Sequence, residues 1–249
     1  MRLVIKYFCT LTMLIVIMSV FNTTLHAQLS AKDSTILNTS IQNAYKVYHN
    51  NIGDQAAKYN GSQYQGYTVS FSDGQPYFKA NELVIGSIIY DGVKFDSVNI
   101  MYDEVAGCVI MQDSNHRIQL VNERLSSFTL HESNFERLIK KSNSPLISSG
   151  FYQVLSKGKW SLYKKETKKM IDKFSNANEL AVLFEIHHYY YVLKDGQYFE
   201  INKKKDFLTL FGNREKEITK YINDQHLNYR KAKDEMMTKV IEFYNQLTN

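Results

Sequence analysis

The chain has 249 residues, a formal net charge of +5 and 44% hydrophobic residues, and charged residues of both signs make up 22% of it. This composition is typical of a globular protein and excludes an intrinsically disordered chain. The net charge is too small for this length to predict nucleic-acid binding. Tyrosine and phenylalanine are abundant, with 18 and 14 residues, which favours half-buried positions on a β-sheet.

Residues 1–27 have the pattern of a cleavable secretory signal peptide. Arg2 and Lys6 precede an apolar run over residues 7–21, and a short polar segment ends at Ala27. The run of about 15 residues is shorter than the roughly 20 that a membrane-spanning helix needs. We therefore expect signal cleavage after Ala27 and export of the remaining chain, with an uncleaved membrane anchor as the alternative.

The cysteine content limits how the exported chain is stabilised. The chain has two cysteines, and removal of residues 1–27 leaves only Cys108. One cysteine cannot form an intramolecular disulfide, so the expected fold depends on its hydrophobic core. Cys108 lies in an apolar run, and we expect it to be a buried packing residue rather than a nucleophile.

The first half of the chain is predicted to form one helix followed by short strands. Apolar residues recur at helical spacing over residues 34–50, and from about residue 65 the period changes to two. The predicted strands are 65–71, 83–90, 93–102, 108–112, 117–121 and 127–130. Asp91-Gly92 between alternating apolar runs is the strongest hairpin signal among their turns. Short strands without helical crossovers predict an antiparallel β-meander.

The second half is predicted to contain hairpins and then helices. Residues 135–141 are predicted to form a short helix, and the polar segment 142–145 marks a boundary. The predicted strands beyond it are 151–156, 159–164, 182–193 and 197–201, with turns at Lys157-Gly158 and Asp195-Gly196. A short helix is predicted from near Asn213, and a final helix capped by Asn228 is expected to pack its apolar face on the sheet.

The predicted fold class is therefore α+β. Its core is an antiparallel β-meander, as an open sheet or a partial barrel, with an N-terminal helix and a C-terminal helical pair. The predicted organisation is a signal peptide at 1–27, an N-terminal helix plus β-meander at 28–141, and β-hairpins plus C-terminal helices at 150–249. The last two segments form either two domains or one continuous domain.

Motifs that carry chemistry are few. The sequence contains no nucleophile elbow, zinc-protease helix, paired-cysteine motif, P-loop or dinucleotide fingerprint. We therefore predict no catalytic residue, no metal ligand and no cofactor. Asp103 and Glu104 would supply half of a glycosidase-like carboxylate pair, but their position in a predicted turn favours a solvated loop.

One predicted strand carries the candidate ligand-binding residues. Alternate residues of a strand share a face, so His187 and His188 point to opposite sides and cannot share a metal ion. The polar face carries Glu185, His187, Tyr189 and Tyr191. The face expected to be core carries Val182, Phe184, Ile186, His188 and Tyr190. The polar face suits contacts with a sugar or peptide, although an ordinary solvated sheet face shows the same alternation.

Several short motifs occur along the chain after residue 27. They are Tyr77-Phe78, Tyr90-Asp91-Gly92-Val93, Met101-Tyr102-Asp103, Gly150-Phe151-Tyr152-Gln153-Val154-Leu155, Trp160-Ser161-Leu162-Tyr163-Lys164, residues 211–221 and the terminal Phe243-Tyr244-Asn245. Together they resemble an uncharacterised exported protein family of Bacteroidetes. The resemblance covers most of the chain and implies a location in the cell envelope, with no catalytic residues to carry over.

These observations lead to an expected function. We expect an exported protein of the periplasm or outer envelope, or a secreted one, that acts as a non-enzymatic binding or structural module. Its expected partner is an envelope protein, a glycan or a lipid, with no nucleic acid and no transmembrane segment after signal cleavage. An apolar cavity between sheet and helices would indicate a hydrophobic-ligand carrier. The alternative is a hydrolase acting on glycans or peptides, which would show clustered carboxylates in a cleft.

Overall fold

The computed structural model describes residues 61–71, 73–113, 116–140, 147–174 and 180–248, together with Thr39, Ser40 and Asn43. The predicted signal peptide with its cleavage after Ala27 lies outside the described residues. The predicted helix at 34–50 does so too, except for Thr39, Ser40 and Asn43, which are helical. Both stay predictions. The chain divides into the units Met1–Lys46 and Val47–Asn249, and the elements below belong to the second unit.

The described part of the second unit contains one antiparallel sheet of 11 strands. The strands are β1 Gly61–Gln63, β2 Val84–Tyr90, β3 Val93–Asp103, β4 Cys108–Asp113, β5 His116–Leu120, β6 Leu125–Leu130, β7 Ser133–Leu138, β8 Gly150–Ser156, β9 Ser161–Phe174, β10 Leu180–Lys194 and β11 Gln197–Glu200. Their order is β1-β5-β4-β3-β2-β6-β7-β8-β9-β10-β11. Most neighbours are consecutive, as a meander requires, and β1 and β11 form the two edges of an open sheet.

Turn chemistry sets the register of the hairpins. Asp91-Gly92 joins β2 to β3 with φ angles of 51° and 76°, and Asp195-Gly196 joins β10 to β11 with 50° and 77°. Two positive φ angles give the turn whose twist matches that of the flanking strands. The Asp-Gly predictions are thus confirmed. His131-Glu132 forms a similar turn without glycine, with φ angles of 47° and 63°.

Two local predictions are wrong. The predicted helix at 135–141 is instead β7, which pairs with β6 and β8. The sequence does not predict this strand because the turn before it, His131-Glu132, lacks the glycine that usually marks a hairpin. The predicted strand at 65–71 is not formed. Phe71 makes only an isolated bridge to Val182, because Tyr64 and Tyr67 direct their hydroxyl groups to Asp103.

Three helices follow the sheet. They are α1 Lys204–Thr209, α2 Glu215–Asp224 and α3 Lys233–Leu247. The predicted C-terminal helical pair is confirmed as α2 and α3, whereas α1 was not predicted. Asn228 accepts hydrogen bonds from the backbone N–H groups of Arg230 and Lys231, so it caps a turn before α3 and not the helix itself. None of the helices in the described ranges combines the length and apolar character needed to cross a membrane.

The helices cover one end of the sheet through a filled apolar interface. Met236, Met237, Val240 and Ile241 of α3 are buried, as the apolar face of the predicted helix requires. The ring of Trp160 lies 4.2 Å from that of Tyr244 and 5.1 Å from that of Phe211, measured between centroids. A second cluster, which includes the stacked rings of Phe128 and Phe135, occupies the meander.

The hairpin of β9 and β10 extends beyond its neighbours. β8 pairs with β9 only over residues 162–164, and β11 pairs with β10 only over residues 191–194. The remaining residues 165–174 and 180–189, here called the β9–β10 arm, pair with each other. Phe71 contacts this arm, since the centroid of its ring lies 5.1 Å from that of Phe184. The backbone N–H of Lys168 in the arm donates to the carbonyl oxygen of Glu104, which places the arm against the β3–β4 turn.

Candidate functional site

The β3–β4 turn begins with a buried and fully hydrogen-bonded carboxylate. Asp103 is 0% exposed. Its Oδ1 accepts hydrogen bonds from the N–H groups of Val105 and Ala106 at 2.9 and 2.8 Å. Its Oδ2 accepts hydrogen bonds from the hydroxyls of Tyr64 and Tyr67, both at 2.8 Å. Burial, and then the hydrogen bond to Asp103, raise the pKa of Tyr67 above its ordinary value. Asp103 therefore holds the turn and residues 64–67 together.

Glu104 follows Asp103 in the β3–β4 turn and is buried because the β9–β10 arm packs over it. Its Oε2 lies 3.0 Å from Nζ of Lys168. The same ammonium donates hydrogen bonds to the carbonyl oxygens of Gln75 at 3.1 Å and Tyr77 at 2.6 Å. The backbone N–H of Lys168 also donates to the carbonyl oxygen of Glu104 at 3.4 Å. The expectation that Asp103 and Glu104 lie in a solvated loop is therefore wrong, because the arm covers this turn.

Glu166 supplies a second carboxyl group next to Glu104. It lies two residues before Lys168 on β9, so the two side chains share a face of the strand. Nε2 of His188 lies 2.8 Å from Oε2 of Glu166. Burial, and then the charge of Glu166, raise the pKa of Glu104 to about 7, while Lys168 acts in the opposite direction. A carboxyl group that titrates near neutrality can both donate and accept protons.

The ionic network continues from the arm to α3. Nζ of Lys164 lies 3.9 Å from Glu166 and 2.8 Å from Oδ2 of Asp234. The hydroxyl of Tyr190 donates to Oδ1 of Asp234 at 2.5 Å. Burial would raise the pKa of Asp234, but the hydrogen bonds from Lys164 and Tyr190 outweigh it and lower this pKa below its usual range. Asp234 thus fixes the base of the arm on the last helix.

A cavity of about 300 Å³ lies beside Glu104. Its walls include Tyr102, Glu104, Asn122, Phe151, Glu166 and Lys168. Two buried oxygens of these walls, Oε2 of Glu104 and Oδ1 of Asn122, accept no hydrogen bond within the described part of the chain. Nδ2 of Asn122 donates to the carbonyl oxygen of Gly107 at 2.9 Å, which fixes the amide. Oε2 of Glu104 has the ammonium group of Lys168, 3.0 Å away, as its ion-pair partner.

Lys165 adds a further polar group to the cavity wall. Its Nζ donates a hydrogen bond to Oγ of Ser148 at 2.7 Å. It also lies 5.0 Å from the centre of the Tyr152 ring. Burial lowers the pKa of Lys165 below its ordinary value. The cavity therefore combines two carboxyl groups and two amino groups with an unpaired amide oxygen.

A larger depression of about 650 Å³ lies at the start of α2. It is lined by Gly212, Asn213, Glu215, Lys216 and Thr219, of which all but Thr219 are exposed. None of these residues contributes a buried polar atom that lacks a hydrogen bond within the described ranges. The smaller cavity beside Glu104 is therefore the better candidate for a specific site.

The four residues chosen from the sequence do not line this cavity. Glu185 and His187 lie on the exposed face of the arm, where Nε2 of His187 is 3.4 Å from Oε1 of Glu185. Tyr189 is on the same face and is 39% exposed. Tyr191 is buried against Tyr152, with ring centroids 5.7 Å apart, and burial raises its pKa to about 12. The structure thus brings the first three together and places Tyr191 in the sheet core.

The sequence predicts that the opposite face of β10 belongs to the core, but only part of that face is buried. Val182 and Tyr190 are buried. Ile186 is 51% exposed, and the side chain of His188 is 44% exposed. The expectation fails for these two residues because the arm extends past the strands and helices that would cover them.

Among the described residues, neither Cys108 nor a metal-binding cluster contributes a reactive group to the site. Cys108 is buried in a cluster with Tyr77, Met101 and Ile110. Burial, and then the charge of Asp103, raise the pKa of its thiol to about 12, which leaves it a protonated packing residue. Within the described ranges, no three His, Cys, Asp or Glu side chains are grouped so as to hold a metal ion.

Comparisons with models of known protein families, with curated proteins and with solved structures give no match. Sequence reasoning missed Asn122, Glu166 and Lys168 as site residues. The only available signal was the alternation of Lys164, Glu166 and Lys168 at a period of two, which places opposite charges along one face of a strand.

Proposed function

We propose that this chain is a binding module for a small, hydroxyl-rich ligand of the size of a single sugar, bound in the cavity beside Glu104. The observation that carries the proposal is the polar wall of this cavity, where Oδ1 of Asn122 accepts no hydrogen bond within the described residues and Glu104 is ion-paired with Lys168. A buried amide oxygen without a donor costs about 1–3 kcal/mol. A ligand hydroxyl that donates to Asn122 removes this cost, and a second hydroxyl that donates to Glu104 adds specificity.

The size and walls of the cavity support a small sugar. Its volume of about 300 Å³ is at the lower end of the range for ligand cavities. Tyr102 and Phe151 line the cavity, but only 4% and 2% of their surface is exposed, so polar groups supply most of the contacts that a ligand can make. A glycan is among the partners expected from the sequence. Export to the envelope is part of the proposal and is supported by the pattern of residues 1–27.

A hydrophobic-ligand carrier has less support. The interface between the sheet and the helices, where such a ligand would lie, is filled by Trp160, Phe211 and Tyr244. The cavity beside Glu104 has charged walls, which are unfavourable for an apolar ligand.

Calorimetric titration tests the proposal. Wild-type protein is titrated with a panel of neutral monosaccharides, an amino sugar and a fatty acid. We expect saturable binding of a neutral sugar and about tenfold or more weaker binding to the variants Glu104→Gln and Asn122→Ala, each of which loses one acceptor. Glu82→Gln is the matched control because Glu82 is an exposed carboxylate outside the cavity. Binding of the fatty acid alone, or equal affinity in Glu104→Gln, would contradict the proposal.

A specific observation also favours a second function, hydrolysis of a glycosidic bond. The pKa of about 7 at Glu104, beside Glu166, gives a protonated carboxyl group next to a second carboxyl group. Glycosidases use such a pair, one as the acid that protonates the leaving oxygen and the other as base or nucleophile. In this reading Glu104 is the acid and Glu166 is the second carboxylate.

Release of nitrophenol from nitrophenyl glycosides distinguishes hydrolysis from binding alone. A hydrolase would lose turnover above about pH 7, where Glu104 loses its proton. Its Glu104→Gln variant would lose turnover, whereas Glu82→Gln would keep it. The absence of turnover with a glycoside that binds would leave the binding module as the function.

A further inference from the structure

One edge of strand β10 is paired with other backbone segments at both of its ends but is unpaired between them within the described residues. At one end, Val182 forms a bridge with Phe71. At the other end, the carbonyl oxygen of Tyr190 accepts a hydrogen bond from the N–H of Ile201 at 2.9 Å, and β11 pairs with residues 191–194. No described strand pairs with the edge of β10 over residues 183–189.

Backbone polar groups point out from this edge. The N–H and C=O groups of successive strand residues alternate in direction, and those of Tyr190 point toward β11. The same groups of Phe184, Ile186 and His188 therefore point to the open edge. They have no hydrogen-bond partner elsewhere in the described chain. An exposed edge of this kind can pair with a strand of another chain.

We propose that two copies of this chain associate by antiparallel pairing of these β10 edges about a two-fold axis at Ile186. The length of the open edge supports this register. Pairing centred on Ile186 matches residue 183 with residue 189 of the second copy and fills the edge completely. Pairing of the same length centred on His187 would use the backbone groups of Tyr190, whose carbonyl oxygen already accepts a hydrogen bond from Ile201. Pairing centred on Glu185 would use those of Val182, which already forms a bridge with Phe71.

The charges select the same register. With Ile186 at the centre, Glu185 lies opposite His187 of the second copy, and symmetry repeats this pair. Their side chains are 47% and 44% exposed and share a face of the strand. An imidazole N–H donates to a carboxylate whether or not the ring is charged. A centre at Glu185 would instead place two carboxylates opposite each other, which is destabilising.

The central pair is apolar. Ile186 is 51% exposed in the single chain and would lie against Ile186 of the second copy. Leu183 would lie opposite Tyr189, whose side chain is 39% exposed. Cross-strand contacts between aromatic and aliphatic side chains stabilise antiparallel pairs. The association buries exposed apolar surface of the arm at no cost to the existing sheet.

Charge exchange tests the proposed contact. We expect sedimentation equilibrium of the purified protein to show a monomer–dimer equilibrium. His187→Glu places a glutamate opposite Glu185 of the second copy, and the two-fold symmetry repeats this repulsion. It should therefore raise the dimer Kd about tenfold. The double variant Glu185→Lys/His187→Glu should return Kd to near the wild-type value. Asp172→Lys, an exposed change on the arm away from the edge, is the control and should leave Kd unchanged.

Single-cysteine variants test the register. Residues in a hydrogen-bonded antiparallel pair have Cα atoms about 5.5 Å apart, within the range that a disulfide spans. We therefore expect Ile186→Cys to form a cross-linked dimer on oxidation, while Glu185→Cys and His187→Cys remain uncrosslinked. Cys108 is buried and does not interfere. A wild-type chain that is monomeric at all concentrations, or cross-linking at 185 or 187 instead of 186, would overturn the proposal.

Discussion

Glu104 in the β3–β4 turn and Lys168 in the β9–β10 arm form an ion pair of 3.0 Å, with side chains that are 1% and 7% exposed. This pair joins the two halves of the chain that the sequence separates at residues 142–145. It holds the arm on the turn and forms part of the wall of the cavity. The candidate site therefore exists only because these two distant segments meet.

Lys168→Met should destabilise the fold. The change leaves Glu104 buried without its counter-charge and leaves the carbonyl oxygens of Gln75 and Tyr77 without their donor. Because the pKa of Glu104 is already raised to about 7, Glu104 takes up a proton when Lys168 is lost, so the expected cost is about 1–3 kcal/mol, chiefly from the carbonyl oxygens that lose their donor. Urea unfolding at pH 7.5 measures this loss.

The matched control for this variant is Lys169→Met, since Lys169 is the exposed neighbour on the other face of β9. It should change the free energy of unfolding by less than about 0.5 kcal/mol. The double variant Glu104→Gln/Lys168→Met should recover part of the stability, because a buried glutamine is neutral and does not have to take up a proton at pH 7.5. Equal effects of the variants at 168 and 169 would show that the ion pair has no structural role.

The stability of the protein should depend on pH through Glu104. Its pKa is about 7 in the folded protein against an ordinary 4.5, chiefly because it is buried. The fold thus favours the protonated form, so the contribution of Glu104 is fully present below pH 4.5 and is lost as the pH rises to about 7. Relative to wild type, Glu104→Gln should become steadily more stable across this interval and then level off. Urea unfolding of both proteins at a series of pH values measures the difference, and a constant difference would contradict it.

Tyr64→Phe and Tyr67→Phe should each destabilise the protein by about 1.5–3 kcal/mol, because each removes a hydrogen bond to the buried carboxylate of Asp103. Thermal unfolding followed by circular dichroism detects this loss. Tyr189→Phe is the control, since its side chain is 39% exposed on the arm. The prediction fails if the three variants have equal midpoints of unfolding.

Asn245→Ala should weaken the attachment of α3 to the sheet. The Asn245 side chain accepts a hydrogen bond from the N–H of Trp160 and donates one to its carbonyl oxygen, both at 2.9 Å. Its removal leaves two buried backbone groups without partners, at about 1–3 kcal/mol each. Hydrogen exchange should become faster in α3, whereas Gln246→Ala, at an exposed position, should leave the exchange unchanged.

Much of the sheet could be predicted from the sequence, because its signals are local. Asp91-Gly92 and Asp195-Gly196 mark hairpins through backbone angles that glycine adopts easily, and both hairpins are found. The apolar spacing of α3 predicts a buried face, and that face is buried. Local rules failed at His131-Glu132, where a hairpin turn forms without glycine, so β7 was predicted to be a helix.

The candidate site could not be predicted, because its residues meet only through long-range contacts. Glu104 reads as a turn residue until the arm covers it, and Lys168 lies beyond the predicted strand 159–164, although β9 continues to Phe174. The polar face of β10 was visible in the sequence, but no pattern shows that β10 runs past its neighbours. Glu185 and His187 are consequently on an open arm and away from the cavity.

The ionisation of Glu104, measured with and without ligand, tests the central claim most directly. Carboxyl carbons of glutamate-labelled protein are followed by NMR from pH 4 to 9, and the Glu104 signal is assigned by its absence in Glu104→Gln. We predict a pKa of about 7 for the protein alone. A saturating neutral sugar should lower it, because hydroxyl groups that donate to Oε2 stabilise the ionised form. A pKa near the ordinary 4.5, or the same titration curve with and without every sugar of the panel, would contradict the account.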